Sequence, residues 1–109
     1  MPITSGDISA LVEAALLMSN QALDNRVAKM QTYTVEVSFV SSVSVSCHAT
    51  PYFVNLMFTA STLSCLTTKT ETGSLSFQRE NGIPNKQAFS HACYDVLDTI
   101  MTASGMTIQ

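Results

Sequence analysis

The chain has 109 residues, a formal charge of −3 and only 12% charged residues. That length makes one domain, residues 1–109, with room for a modest core. Its basic residues, Arg26, Lys29, Lys69, Arg79 and Lys86, are too few and too scattered for a general binder of nucleic acid or anionic membrane, which needs Lys and Arg in number.

Cys47, Cys65 and Cys93 are widely spaced and form no C-x-x-C pair. That usage fits a reducing compartment, so the expected location is the cytoplasm, or the host cytoplasm if the chain is viral. The N-terminus, Met1 to Asp7, has no basic region leading into an apolar core, so no secretory signal is expected. The apolar stretch from Ile8 to Met18 is interrupted by Glu13 and is too short to span a bilayer.

The first helix is expected from about Ser5 to Lys29 or Met30, with Asn25 as an earlier stopping point. Thr4 or Ser5 caps it, and Asp7 lies where a negative charge favours the helix dipole. Ile8, Leu11, Val12, Ala15, Leu16, Ala22, Leu23, Val27 and Met30 form its apolar stripe.

Strand one alternates from Tyr33 to Cys47. Tyr33, Val35, Val37, Phe39, Ser41, Val43, Val45 and Cys47 fall on one face, and Thr34, Glu36, Ser38, Val40, Ser42, Ser44 and Ser46 on the other. The segment is more than twice the usual strand length of about 5–6 residues, so a bend or bulge near Ser41-Ser42 is expected to divide it. Strand two runs from about Tyr52 to Thr67. Its first half is apolar on both faces except at Asn55, which predicts a central strand covered on two sides. Lys69 to Gly73 reads as a turn, and strand three follows from Ser74 to Arg79 with Leu75 and Phe77 on one face.

Glu80 to Asn85 reads as a loop, with Asn85 capping the second helix. Ala88, Phe89, Ala92, Cys93, Val96, Leu97, Ile100 and Met101 form that helix's apolar stripe, and Gly105 stands where a left-handed C-terminal residue belongs. The expected fold is therefore α+β, in the order α-β-β-β-α: an antiparallel meander of long strands with two helices packed on one face.

No Lys, Arg, Asp or Glu occurs from Val37 to Thr68. Long uncharged strands pair with other chains unless they are covered. The expected cover is a second copy, giving a homodimer or higher symmetric oligomer. The interface falls on Ser38, Val40, Ser42, Ser44, Ser46, Phe53 and Met57.

The chemistry-bearing residues do not converge. Cys47 and His48 are adjacent on a strand and so point to opposite sides. His91 and Cys93 lie about 200° apart around a helix. Neither pair suits a shared metal ion, and neither gives a cysteine its base. The sequence contains no nucleophile elbow and no phosphate loop. Asp95 and Asp98, three residues apart, read as a solvated helix face. No catalytic residue, metal or cofactor is assigned.

The order α-β-β-β-α resembles the double-stranded-RNA-binding domain. The opening of helix two, Asn85-Lys86-Gln87-Ala88-Phe89-Ser90-His91-Ala92, is similar to that family's Lys-Lys-x-Ala-Lys-x-x-Ala. Lys86 and Ala88 match, Ala92 matches with shifted spacing, and Asn85 and Phe89 replace the other lysines. The resemblance implies duplex RNA as ligand, gripped by Lys86; Lys69 and Arg79, which flank the second and third strands, are the basic residues expected to join it on one edge.

Three functions are thus expected in descending order. The first is a small non-enzymatic protein that binds another macromolecule, expected to be a protein, as a symmetric homo-oligomer, of the kind found among phage or viral accessory and inhibitor proteins. The second is a double-stranded-RNA-binding-like protein. The third is a small enzyme or ligand-binding fold with a pocket between helices and sheet.

Overall fold

A computed structural model describes residues 2–25, 29–38, 40–49, 53–64, 67–78 and 86–108. In chain order the elements are β1 (Pro2–Ile3), α1 (Ser5–Asn25), β2 (Lys29–Ser38), β3 (Ser41–Ala49), β4 (Phe53–Ser64), β5 (Thr67–Gln78), α2 (Lys86–Ser104) and β6 (Thr107–Ile108). Strands β2 to β5 form a four-stranded antiparallel sheet in sequence order, and β1 pairs in parallel with β6. The architecture is α+β, helix then antiparallel meander then helix. Both helices lie on one face, α1 over β2 and β3 and α2 over β4 and β5.

The alternating segment from Tyr33 to Cys47 is a hairpin rather than one strand. β2 ends at Ser38, β3 starts at Ser41, and these two residues stand opposite each other. The reversal therefore comes earlier than Ser41-Ser42. Ser38 Oγ accepts a hydrogen bond from Val40 N at 3.2 Å, a local side-chain bond that competes with the sheet ladder and favours a turn. Cross-strand pairing still sets Tyr33 opposite Val45 and Val35 opposite Val43, so the alternation holds on both sides of the turn.

Helix α1 ends at Asn25, the earlier of the expected stopping points, and Met30 belongs to β2, where it is 63% exposed. Asp and Asn rank low in intrinsic helix propensity, and the sequence has both at positions 24 and 25. The predicted turn from Lys69 to Gly73 is the middle of β5, which runs unbroken for 12 residues. Thr67, Thr68, Thr70 and Thr72 are β-branched and suit a strand. Gly73 marks the place where α2 crosses β5.

The helix termini follow local rules. Thr4 is the N-cap: its Oγ1 accepts from Asp7 N at 3.1 Å, and Asp7 Oδ2 accepts from Thr4 N at 3.2 Å. At the end of α2, Gly105 has φ +82°, Met106 N donates to the Met101 carbonyl at 2.9 Å, and Gly105 N donates to that of Thr102 at 3.2 Å. This is the Schellman arrangement, accompanied by burial of Met101 and Met106.

The core fills the space between helices and sheet. Val43, Val45, Cys47 and Ala49 of β3 and Val54, Leu56, Phe58 and Ala60 of β4 point into it. They meet Ile8, Leu11, Val12, Ala15 and Met18 of α1 and Phe89, Cys93, Leu97, Ile100 and Met101 of α2. Phe77 and Phe89 pack edge to face at 5.8 Å. Ser19 is buried on α1, and its hydroxyl donates to the Ala15 carbonyl at 2.7 Å. Among the described residues no helix is long and apolar enough to cross a membrane.

Candidate functional site: the open face of the sheet

The helices cover one face of the sheet, and among the described residues nothing covers the other. Its composition follows from strand register. One row across the four strands is Thr34, Ser44, Thr59 and Thr72; the next is Glu36, Ser42, Ser61 and Thr70. On the other side of the first row come Thr32, Ser46, Met57 and Ser74, then Met30, His48, Asn55 and Ser76. Short hydroxyl side chains thus tile the middle of the face. Several bond across strands: Thr32 with Ser46 at 3.1 Å, Ser61 with Thr70 at 3.4 Å, and Ser76 Oγ donating to Asn55 Oδ1 at 2.6 Å.

Apolar side chains stand at both ends of this hydroxyl field. Met30, Phe53 and Met57 lie at one end, exposed by 63%, 46% and 46%, and Leu63 lies at the other, exposed by 44%. A shallow depression of about 290 Å³ is lined by Met30, Met57, Leu56, His48, Asn55, Ser46, Ser74 and Ser76. A second, of about 350 Å³, lies by the β2–β3 reversal, between Glu36, Val40, Ser42, Ser61, Leu63 and Thr68. In the rows named above, Glu36 on the edge strand β2 is the one formally charged side chain. β4 is therefore central in the sheet but covered on one side only, whereas its apolar first half predicted cover on both.

Of the residues expected at an interface, Ser42, Ser44, Ser46, Phe53 and Met57 lie together on this face. Val40 joins them at its end, beside Leu63, whose backbone N donates to the Val40 carbonyl at 2.9 Å. Ser38 sits in the hairpin reversal and lines the same depression as Val40 and Leu63. Sequence reading missed Met30, assigned there to a helix stripe, and missed the contribution of β5, which supplies Thr70, Thr72 and Ser74.

The residues that would grip RNA do not converge in the same way. Lys86 opens α2 and lies 3.8 Å from Glu13 of α1. Lys69 stands opposite Thr62, whose hydroxyl donates to the Ser104 carbonyl at the far end of α2. The 19-residue helix separates the two by about 28 Å at 1.5 Å per residue. Arg79 lies outside the described residues.

Cys47 and Cys93 are free and buried, and both histidines are exposed. Burial pushes the Cys93 thiol up to about 12. Burial also raises Cys47, with its side-chain hydrogen bond to Ser19 acting in the opposite direction. Neither has the electropositive, accessible setting that makes a thiolate nucleophile. His91 Nε2 lies 3.7 Å from Asp95 Oδ2 on the exposed side of α2. No group of three or more metal-ligating side chains occurs among the described residues. Where a pocket between helices and sheet was an alternative, Val45, Leu56, Phe58 and Leu97 pack that layer at 0–1% exposure.

The chain matches no family model, no curated protein and no solved structure.

Proposed function

We propose that this chain is a non-enzymatic protein-binding module that acts as a symmetric homo-oligomer, with the open face of the sheet as its contact surface. The observation that carries this reading is the uncovered face of β3 and β4. It is tiled with hydroxyls and nearly free of charge, and large apolar side chains stand on it at Met30, Phe53, Met57 and Leu63.

Such a face costs little to desolvate. Short Ser and Thr side chains already satisfy part of their bonding across strands, and no Lys or Arg along its rows has to leave water. Four strands at about 4.8 Å and ten residues at about 3.3 Å give a footprint of roughly 600 Å², close to the ~800 Å² per partner of a standard interface. Face-to-face packing of two such sheets places them about 10 Å apart, with the Met and Phe side chains filling the space between. The free buried cysteines suit a cytoplasmic setting. An accessory or inhibitor role, as in phage and viruses, is part of the same proposal.

Light scattering at tens of micromolar tests the reading. The expected mass is twice 11.7 kDa or a higher even multiple. Ser44→Lys, in the middle of the face, is expected to lower that mass while circular dichroism stays unchanged. A wild type that remains at 11.7 kDa overturns the self-association. In 150 mM salt the wild type is expected not to bind duplex RNA; binding that disappears on Lys86→Ala would favour the RNA reading instead.

A further inference from the structure

We infer that the outer edge of β5 is a second self-association site, where two copies of the chain join antiparallel about a two-fold axis through Thr70. β5 is the last strand of the sheet, and among the described residues no strand pairs with its outer side. It is 12 residues long, and its only charged side chains are Lys69 and Glu71. A long free edge with unpaired N–H and C=O groups is a template for another strand unless something guards it.

A single edge lysine would guard this strand. Lys69 comes instead with an acidic residue two positions on, on the same face, and that spacing selects one register. If two β5 strands pair antiparallel with Thr70 opposite Thr70, each Lys69 stands opposite the other copy's Glu71. The two-fold axis makes the contact twice. Pairing centred on Lys69 or on Glu71 sets like charges opposite each other, and pairing centred on Thr72 sets both charges opposite uncharged residues. Opposite charges directly across an antiparallel pair are favourable, and like charges are unfavourable. Neither Lys69 nor Glu71 forms an ion pair within the chain among the described residues.

The same register keeps the layers aligned. Directly opposed residues share a face, so all helices fall on one side and the two open faces join into one continuous surface. On α2, Tyr94 marks the flank toward α1, where its hydroxyl bonds Ser9 Oγ at 3.2 Å. The opposite flank, roughly 180° round, carries Ala92, Thr99 and Ala103. These short side chains let the two α2 helices lie side by side at the usual 8–10 Å spacing. This two-fold is perpendicular to the sheet, and a face-to-face contact has its two-fold in the plane. The two contacts close into one tetramer when the in-plane axis runs along the Ser42, Ser61 and Thr70 row and so meets the perpendicular axis at Thr70.

The test uses the full chain with Cys65→Ser, so that no third thiol interferes. Thr70→Cys is expected to form a disulfide-linked dimer on mild oxidation, because directly opposed residues have Cα atoms about 4.5–5.5 Å apart, within disulfide reach. In the Ser44→Lys background, which removes the face-to-face contact, Ser74→Cys, which this register does not set opposite itself, is expected to stay monomeric on denaturing gels. Lys69→Glu and Glu71→Lys alone each turn two attractive pairs into two repulsive ones, and are expected to weaken the dimer roughly tenfold. The double swap is expected to restore it. Equal cross-linking of Thr70→Cys and Ser74→Cys in the Ser44→Lys background, or failure of the double swap to restore what either single variant loses, overturns the proposal. Adding Ser44→Lys separates the two surfaces: cross-linking at position 70 persists if the edge acts independently of the open face.

Discussion

A Cβ at Gly73 would lie 2.6 Å from Val96 Cγ1 and 3.2 Å from Ile100 Cγ2. The missing side chain of a strand residue is thus what lets α2 rest on β5. Gly73→Ala is expected to destabilise the fold by about 1–3 kcal/mol, the cost of overpacking a filled site. Adding Val96→Ala opens the space and is expected to recover much of that loss. Urea unfolding of the two single variants and the double variant measures the coupling, and strictly additive losses would contradict this close approach.

The two helix ends provide separate tests. Thr4→Ala removes the hydroxyl that caps α1 and is expected to cost about 1 kcal/mol. Gly105→Ala forces a side chain into the left-handed region at φ +82° and is expected to cost about the same. The caps belong to different helices and share no bond, so thermal melts of the double variant are expected to show the sum of the two losses.

The buried thiols govern the alkaline limit. Burial holds the Cys93 thiol neutral, raising it from 9.0 to about 12. A raised value on an acidic group contributes stability fully below the unfolded pKa. That contribution declines as pH rises through the window from 9.0 to about 12. Unfolding free energy is therefore expected to fall above pH 9 by at most about 1.4 kcal/mol per unit from this group. Cys93→Ala is expected to flatten that slope at a cost of about 1–2 kcal/mol near neutral pH. Iodoacetamide is expected to leave Cys47 and Cys93 unmodified until the protein unfolds; modification within seconds would reopen a role for either thiol.

Ser41 carries a buried hydroxyl with no hydrogen-bond partner among the described residues. Such a group is costly because it has left water without compensation. Ser41→Ala is expected to leave stability unchanged or raise it by up to about 1 kcal/mol. Chemical denaturation measures this directly, and a clear loss would mean that the hydroxyl has a partner in solution.

Periodicity and local chemistry made much of the architecture readable in advance. The period of two from Tyr33 to Cys47 assigned Val35, Val43, Val45 and Cys47 to the core side. The helical stripes named Leu11, Ala15, Cys93 and Leu97. Thr4, Asp7 and Gly105 marked the helix ends through rules that act within a few residues. Tertiary structure decided where the chain reverses. Ser38 and Ser41 read equally well inside one strand, because alternation is the same on either side of a tight turn, and pairing with β4 selects the hairpin. It also gave Gly73 its role: a glycine in a Thr-rich segment looks like a turn until a helix passes over it. The open face depends on tertiary structure most of all. Its rows join residues from four strands, and only the lateral register sets Ser44 beside Thr59 and Thr72. The edge pairing of Lys69 with Glu71 depends likewise on β5 being the last strand, which no local pattern specifies.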